Sequence, residues 1–175
     1  MAGFQRQSPG PEVLATSVSH SRLRVAAAAA RRTIGTLGVD LEYADPSRDW
    51  SGIIEMLSDG FDGVSDRLHG ALIWTAYEAV FKANGCFPLP ADIREIALQC
   101  NSVVADHGSV AAHFCGPVLL ISMLLPTDRD FALTIAVHCS REAERSESIT
   151  LQFRSVAQEG EDTGPVTSVC VPIRK

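Results

Sequence analysis

His113-Phe114-Cys115 and His138-Cys139 carry the side chains best suited to bind a metal, since imidazole and thiolate together satisfy tetrahedral Zn²⁺. Their spacing argues against it. Residues two apart share one face of a strand, whereas the adjacent His138 and Cys139 would point to opposite faces, and no Cys-x-x-Cys knuckle occurs. A cysteine hydrolase built from Cys86, Cys100 or Cys115 with His107 or His113 needs a thiol in an electropositive setting, and no cysteine stands among basic residues. No glycine-rich phosphate loop and no nucleophile elbow is present. The sequence therefore assigns no catalytic residue, no metal ligand and no cofactor, and predicts a non-enzyme. The five cysteines, Cys86, Cys100, Cys115, Cys139 and Cys170, are odd in number and set among apolar residues, which predicts reduced core thiols.

Charge is more informative than chemistry. The 175 residues carry a net charge of −6, yet residues 1–33 hold Arg6, Arg22, Arg24, Arg31 and Arg32 against Glu12 alone, a net of +4. The remaining residues are at −10, with acidic side chains crowded between Asp40 and Asp66. A basic arm on an acidic body predicts attachment to a polyanion, an anionic lipid surface or another copy's acidic face. Stacking on bases is not expected, because Phe4 is the only aromatic residue among those arginines. The N-terminal residues contain no uninterrupted apolar stretch, and no apolar run reaches the roughly 18 residues of a membrane span, so any membrane contact is expected to be peripheral.

The elements that would position these groups follow from hydrophobic period. Residues 4–20 mix Gln, Ser, Gly and Pro and predict a flexible segment, and the alanine-rich stretch 24–32 is compatible with either a short helix or a strand. Leu37, Val39, Leu41 and Tyr43 alternate with Thr36, Gly38, Asp40 and Glu42, a half-buried strand. Ser47 or Asp49 would cap a helix with Trp50, Ile53, Ile54 and Leu57 on one stripe, and Ser65 or Asp66 would cap a longer one closed by Asn84-Gly85. Trp50 and Trp74 lie on these stripes and are expected in the core. A short helix over 92–99 follows a Pro88/Pro90 link. Strands are predicted over 118–125, 131–139, 148–156 and 166–173, with 148–156 as the hairpin partner of 131–139. This is an α+β fold, a mostly antiparallel sheet packed against two or three helices. The domain organisation predicted is a flexible basic arm over 1–32 and one globular domain over 33–175.

The run Met56-Leu57-Ser58-Asp59-Gly60-Phe61-Asp62-Gly63-Val64, followed by Arg67-Leu68-His69-Gly70-Ala71-Leu72, resembles the core of rhabdovirus matrix proteins, most closely the small type of plant-infecting members. In that family a strand leads into an amphipathic helix, a Phe-Asp-type turn, an Arg-x-x-Gly step and a second hydrophobic helix, then a proline-containing link and alternating strands. The resemblance spans roughly residues 33–157, with residue-level likeness over 53–72. Animal-virus members usually carry a proline-tyrosine motif and a lysine-rich patch in the arm; Ser8-Pro9-Gly10-Pro11-Glu12-Val13 has no such motif and the arm has no lysine. Recruitment of host budding machinery is therefore not implied, and membrane attraction should be weaker.

What the resemblance implies is a structural protein that self-associates and links viral ribonucleoprotein to membrane during virion assembly. Pro9, Pro11, Val13 and Leu14 would form an apolar plug that docks onto a neighbouring copy, and Arg22, Arg24, Arg31 and Arg32 would contact a polyanion or lipid. The implied partners are the protein itself, the viral nucleocapsid, an anionic membrane surface and RNA held without sequence specificity. The implied locations are the virion, host cytoplasm and peripheral membrane, with nuclear entry left open. Two other classes fit the same sequence: a small RNA-binding or host-defence-antagonist accessory protein, and a monomeric small-molecule-binding domain or enzyme with a pocket near His107, His113 and Cys115.

Overall fold

A computed structural model describes residues 14–105, 110–125 and 128–140 in full, and 148–153 and 167–172 as backbone. The chain is α+β. A four-stranded antiparallel sheet in the order β3-β6-β5-β4 forms its centre, from β3 (Gly35–Tyr43), β4 (Val110–Cys115), β5 (Val118–Leu125) and β6 (Asp128–Cys139). Helices α1 (Trp50–Leu57), α2 (Arg67–Asn84) and α3 (Pro90–Ala105) lie along the sequence between β3 and β4. Strands β1 (Leu14–Ser21) and β2 (Arg24–Arg31) pair as one hairpin, and β7 (Ser148–Phe153) pairs with β8 (Thr167–Pro172) in another two-stranded sheet.

Alternation divides the sheet into two cores. On one face, Val118, Leu120, Leu124, Ala132 and Ala136 meet Leu72, Ile73, Ala76, Ala79 and Val80 of α2 and Ile93, Ile96, Cys100 and Val103 of α3. On the other, Leu37, Val39, Leu41, Leu119, Ile121, Leu133, Ile135 and Val137 gather, with Ala15, Ala26, Ala28 and Ala30 of the hairpin packed against them. Small residues bring α2 close to the sheet. At Gly38 any Cβ would run into the backbone of Ala79 and Ala83, so only glycine permits that approach. Thr36 Oγ1 then donates to Ala83 O at 2.5 Å. A buried hydroxyl chain crosses the same interface: Ser122 and Thr134 lie 3.0 Å apart, Thr134 and Thr75 2.8 Å apart, and Thr75 Oγ1 donates to Leu72 O. Each member has a partner, as buried polar groups require.

The helix caps resolve to single residues. Asp49 accepts from Gly52 N and Asp66 from His69 N, while Gly85 at φ 74 closes α2 in the left-handed conformation. Beyond it, Phe87 stacks between Tyr77 and Phe81, at 4.8 and 4.1 Å between ring centroids, and pins the link to α3. Trp50 is buried, its indole N–H donating to Asp45 O, and Trp74 is half-buried against Tyr77 and Arg48.

Three expectations are corrected. The flexible arm predicted over 1–32 does not extend through its second half: residues 14–31 are the β1–β2 hairpin laid against β3, and of the two states left open for the alanine-rich stretch it is the strand that forms. Residues 1–13 lie outside the described residues. Strand β7 pairs with β8 and not with β6, because both edges of β6 are taken by β3 and β5. Helix α3 runs from Pro90 to Ala105, longer than the 92–99 expected, and β4 follows it where no strand was foreseen.

Candidate functional site

The residues singled out for metal or thiol chemistry do not converge. Cys115 belongs to the helix-side core and Cys139 to the opposite one, so the sheet stands between them. His138 shares the helix side with Cys115, but Val118 of β5 separates them in register, a span of about 9.5 Å. Among the described residues no three His, Cys, Asp or Glu side chains are grouped to hold a metal ion. Burial pushes the Cys100 thiol up to about 12 and the Cys115 thiol up to about 11, which keeps both protonated and poorly nucleophilic. Cys86 is exposed, against the expectation of a core thiol. His107 lies outside the described residues.

His113 differs from a satisfied core histidine. Both its ring nitrogens are buried without a hydrogen-bond partner among the described residues, and burial pushes its pKa down to about 4. An unfolded histidine titrates near 6.5. Between these values the unfolded chain binds the proton and the folded chain does not, so stability falls as pH drops through this window and His113 has no such effect above it. We expect the urea midpoint of wild type to fall more between about pH 7 and pH 5 than that of His113→Phe; equal falls would exclude this cause. His69 is the contrasting case, with Ser65 N donating to Nδ1 and Nε2 lying 2.7 Å from Ala97 O.

The hairpin carries the groups that remain. Strand β3 is an edge strand, and the N–H groups of Val39, Leu41 and Tyr43 donate to the hydroxyls of Ser17, Ser19 and Ser21 at 2.9, 3.2 and 3.0 Å. Serine side chains thus satisfy a sheet edge that another strand would otherwise pair. Below them Ser19 Oγ donates to Asp40 Oδ1 at 2.8 Å, and Lys82 Nζ lies 2.6 Å from the same oxygen. Glu78 is close by, its carboxyl raised above the usual range by burial and then by Asp40, with Lys82 opposing. Arg48 pairs with Glu42 at 3.5 Å and stacks over Trp50 and Trp74.

Because Ser17, Ser19, Ser21 and the even-numbered alanines face the body, the alternate residues face outward. These are Leu14, Thr16, Val18 and His20 on β1, and Val25, Ala27, Ala29 and Arg31 on β2. Leu14, Val18 and Val25 are among the exposed large apolar residues of the chain. Arg22 and Arg24, expected to meet a polyanion, are tied inward. Arg22 pairs with Asp45 at 2.9 Å and lies over the Tyr43 ring, while Arg24 pairs with Asp128 at 3.4 Å and faces Phe131. Arg31 and Arg32 are exposed at the other end of the hairpin. Of the expected self-association residues, Leu14 opens β1, and Pro9, Pro11 and Val13 lie outside the described residues.

No family model, curated protein or solved structure matches the chain. The run that resembles rhabdovirus matrix proteins falls on the end of α1, the following turn and the start of α2. Its polar residues are occupied in holding those elements: Ser58 Oγ donates to Ile54 O, and Arg67 donates to Ala44 O and Asp130. No helix among the described residues is long and apolar enough to cross a membrane. Sequence reasoning missed Leu23, the serine ladder and the Asp40–Lys82 pair. The signal for the ladder was present as the period-two run Ser17, Ser19, Ser21.

Proposed function

We propose that this chain is a non-enzymatic structural protein of the matrix type, which self-associates and links ribonucleoprotein to an anionic membrane during virion assembly. The observation that carries the reading is a separation of charge built into the fold. Residues 14–34 contain Arg22, Arg24, Arg31 and Arg32 and no acidic residue, and 14–31 form one hairpin layer. Residues 45–66, around α1, carry Asp45, Asp49, Glu55, Asp59, Asp62 and Asp66 against the single Arg48. Arg22 and Arg24 are paired with Asp45 and Asp128, so the basic end is the exposed Arg31–Arg32 end of the hairpin. With the acidic residues around α1 it favours head-to-tail contact, which generates rings or open filaments. Many weak contacts in parallel then supply avidity. The working locations under this reading are the virion and, in the host, cytoplasm and peripheral membrane.

Sedimentation velocity tests it. Wild type is expected to form larger species at low salt that shrink as salt rises, and Arg32→Glu to shift the distribution toward monomer. Removing residues 1–13 asks whether Pro9, Pro11 and Val13 contribute. A chain starting at Arg32 is unsuitable, since it would strip the hairpin from Leu37, Val39 and Leu41 and aggregate for that reason alone. Monomeric behaviour of wild type at high concentration and low salt would exclude the reading.

A further inference from the structure

We infer that the hairpin turn Arg22-Leu23-Arg24 is a wedge that inserts into anionic bilayers, a conclusion that rests on the structural-protein reading and names its membrane-contacting residue. Leu23 is 101% exposed at the tip, and Val25 and Val18 on the outward face beside it are 72% and 62% exposed. Two-residue hairpin turns ordinarily use Gly, Asn or Asp. Here the first position is Arg22 at φ 52, a left-handed conformation uncommon for a side-chain-bearing residue. Contacts on the body hold it there: its guanidinium lies 2.9 Å from the Asp45 carboxylate and 3.7 Å from the centre of the Tyr43 ring. On the other side of the turn Arg24 reaches Asp128, and Tyr43 and Phe131 meet edge to face at 5.3 Å beneath both. Both arginines lean back and Leu23 projects between them. Such strain persists only where the surroundings impose it, and nothing among the described residues covers the leucine it presents.

An apolar tip with cations set behind it fits the boundary between acyl chains and phosphates, where leucine enters and guanidinium groups stay at headgroup level. The hairpin itself has no acidic residue, and the Arg22 and Arg24 side chains stay 55% and 49% exposed beside Asp45 and Asp128, so their guanidinium groups remain open to the phosphates of an anionic leaflet. A second copy's hairpin fits less well, because a two-fold contact would set Arg22, Arg24, Arg31 and Arg32 against the same four residues. Single-stranded RNA fits less well too, since β1, β2 and their turn carry no Phe, Tyr or Trp, and His20 is the one ring there on which a base could stack.

Leu23→Asp and Leu23→Trp test the wedge, and full exposure at this position makes both substitutions harmless to packing. The full chain is pelleted with vesicles of phosphatidylcholine and phosphatidylserine, with phosphatidylcholine alone, and titrated in parallel with single-stranded poly-uridine. Leu23→Asp is expected to weaken association with phosphatidylserine vesicles by about tenfold or more while sedimenting in solution like wild type. Leu23→Trp, after subtraction of the wild-type spectrum, should shift its emission to the blue with phosphatidylserine vesicles and not with poly-uridine. Wild-type pelleting by Leu23→Asp, or unmoved tryptophan emission in pelleted protein, would overturn the wedge and leave self-association intact. Poly-uridine binding without vesicle binding would also overturn it. Loss of self-association in wild type is a separate result and counts against the structural reading itself.

Discussion

Gly38→Val is expected to lower the stability of the fold by about 3 kcal/mol or more, the upper range for overpacking. The reason is the identity of the atoms in the way. A Cβ on residue 38 would overlap the Ala79 carbonyl and stand 2.7 Å from the Ala83 nitrogen, and both are helix backbone. Neither can swing aside as a side chain could. Helix α2 would have to lift from β3, lengthening the Thr36 Oγ1 contact with Ala83 O and drawing Lys82 away from Asp40. It would also open the contact between Ala76 and Ala79 of α2 and Ala132 and Ala136 of β6, which exists because all four side chains are small. Urea unfolding measures the effect, with Gly38→Ala expected to fall between wild type and Gly38→Val. A wild-type midpoint for Gly38→Ala would mean that α2 rides higher on the sheet than described.

That close approach was not legible in the sequence, although the strand containing it was. Leu37, Val39 and Leu41 alternate because one face of β3 meets a core, and period alone reveals this. Gly38 stands on the other face, where the sequence offers a glycine and no sign of which helix it admits. The same limit governs β6. Its alternation from Phe131 to Cys139 was readable, but its neighbours were not, since β3 joins it from nearly a hundred residues earlier in the chain. Short-range pairing with β7 is the natural expectation from sequence, and it fails because β6 has only two edges.

The hairpin escaped detection for a different reason. Its inward residues are Ala15, Ser17, Ser19 and Ser21 on β1 and Ala26, Ala28 and Ala30 on β2, too small and too polar to write an amphipathic signal. Five consecutive alanines favour helix on propensity, and tertiary contact overrides it. What fixes β1 is a row of unpaired N–H groups on β3, a requirement that exists only once the sheet is assembled. The arginines were legible as charge. The pairing of Arg22 and Arg24 at the turn depends on Asp45 and Asp128, which no local spacing links to them.

Lys82→Met should cost about 2 kcal/mol, less than breaking a fully buried pair, because the lysine side chain is 30% exposed while Asp40 is nearly buried. Removing the ammonium leaves the Asp40 carboxylate with the Ser19 hydroxyl as its remaining donor among the described residues, at 2.8 Å, in the company of Glu42 and Glu78. The cost is therefore an uncompensated charge and not merely a lost contact. Asp40→Asn added to Lys82→Met should restore most of the stability, since an amide in that position needs no counter-ion; an additive double variant would exclude the pair as the cause. The damage should also be local. Ser19 bonds both Asp40 and the Leu41 N–H, so the charge left behind loosens the ladder that holds the hairpin. Amide exchange in β1 and in Val39, Leu41 and Tyr43 is expected to quicken before that of β5, which lies buried at the centre of the sheet. Uniform acceleration across β1 and β5 would mean that hairpin and sheet open as one unit, and that the serine ladder is no weaker than the core beneath it.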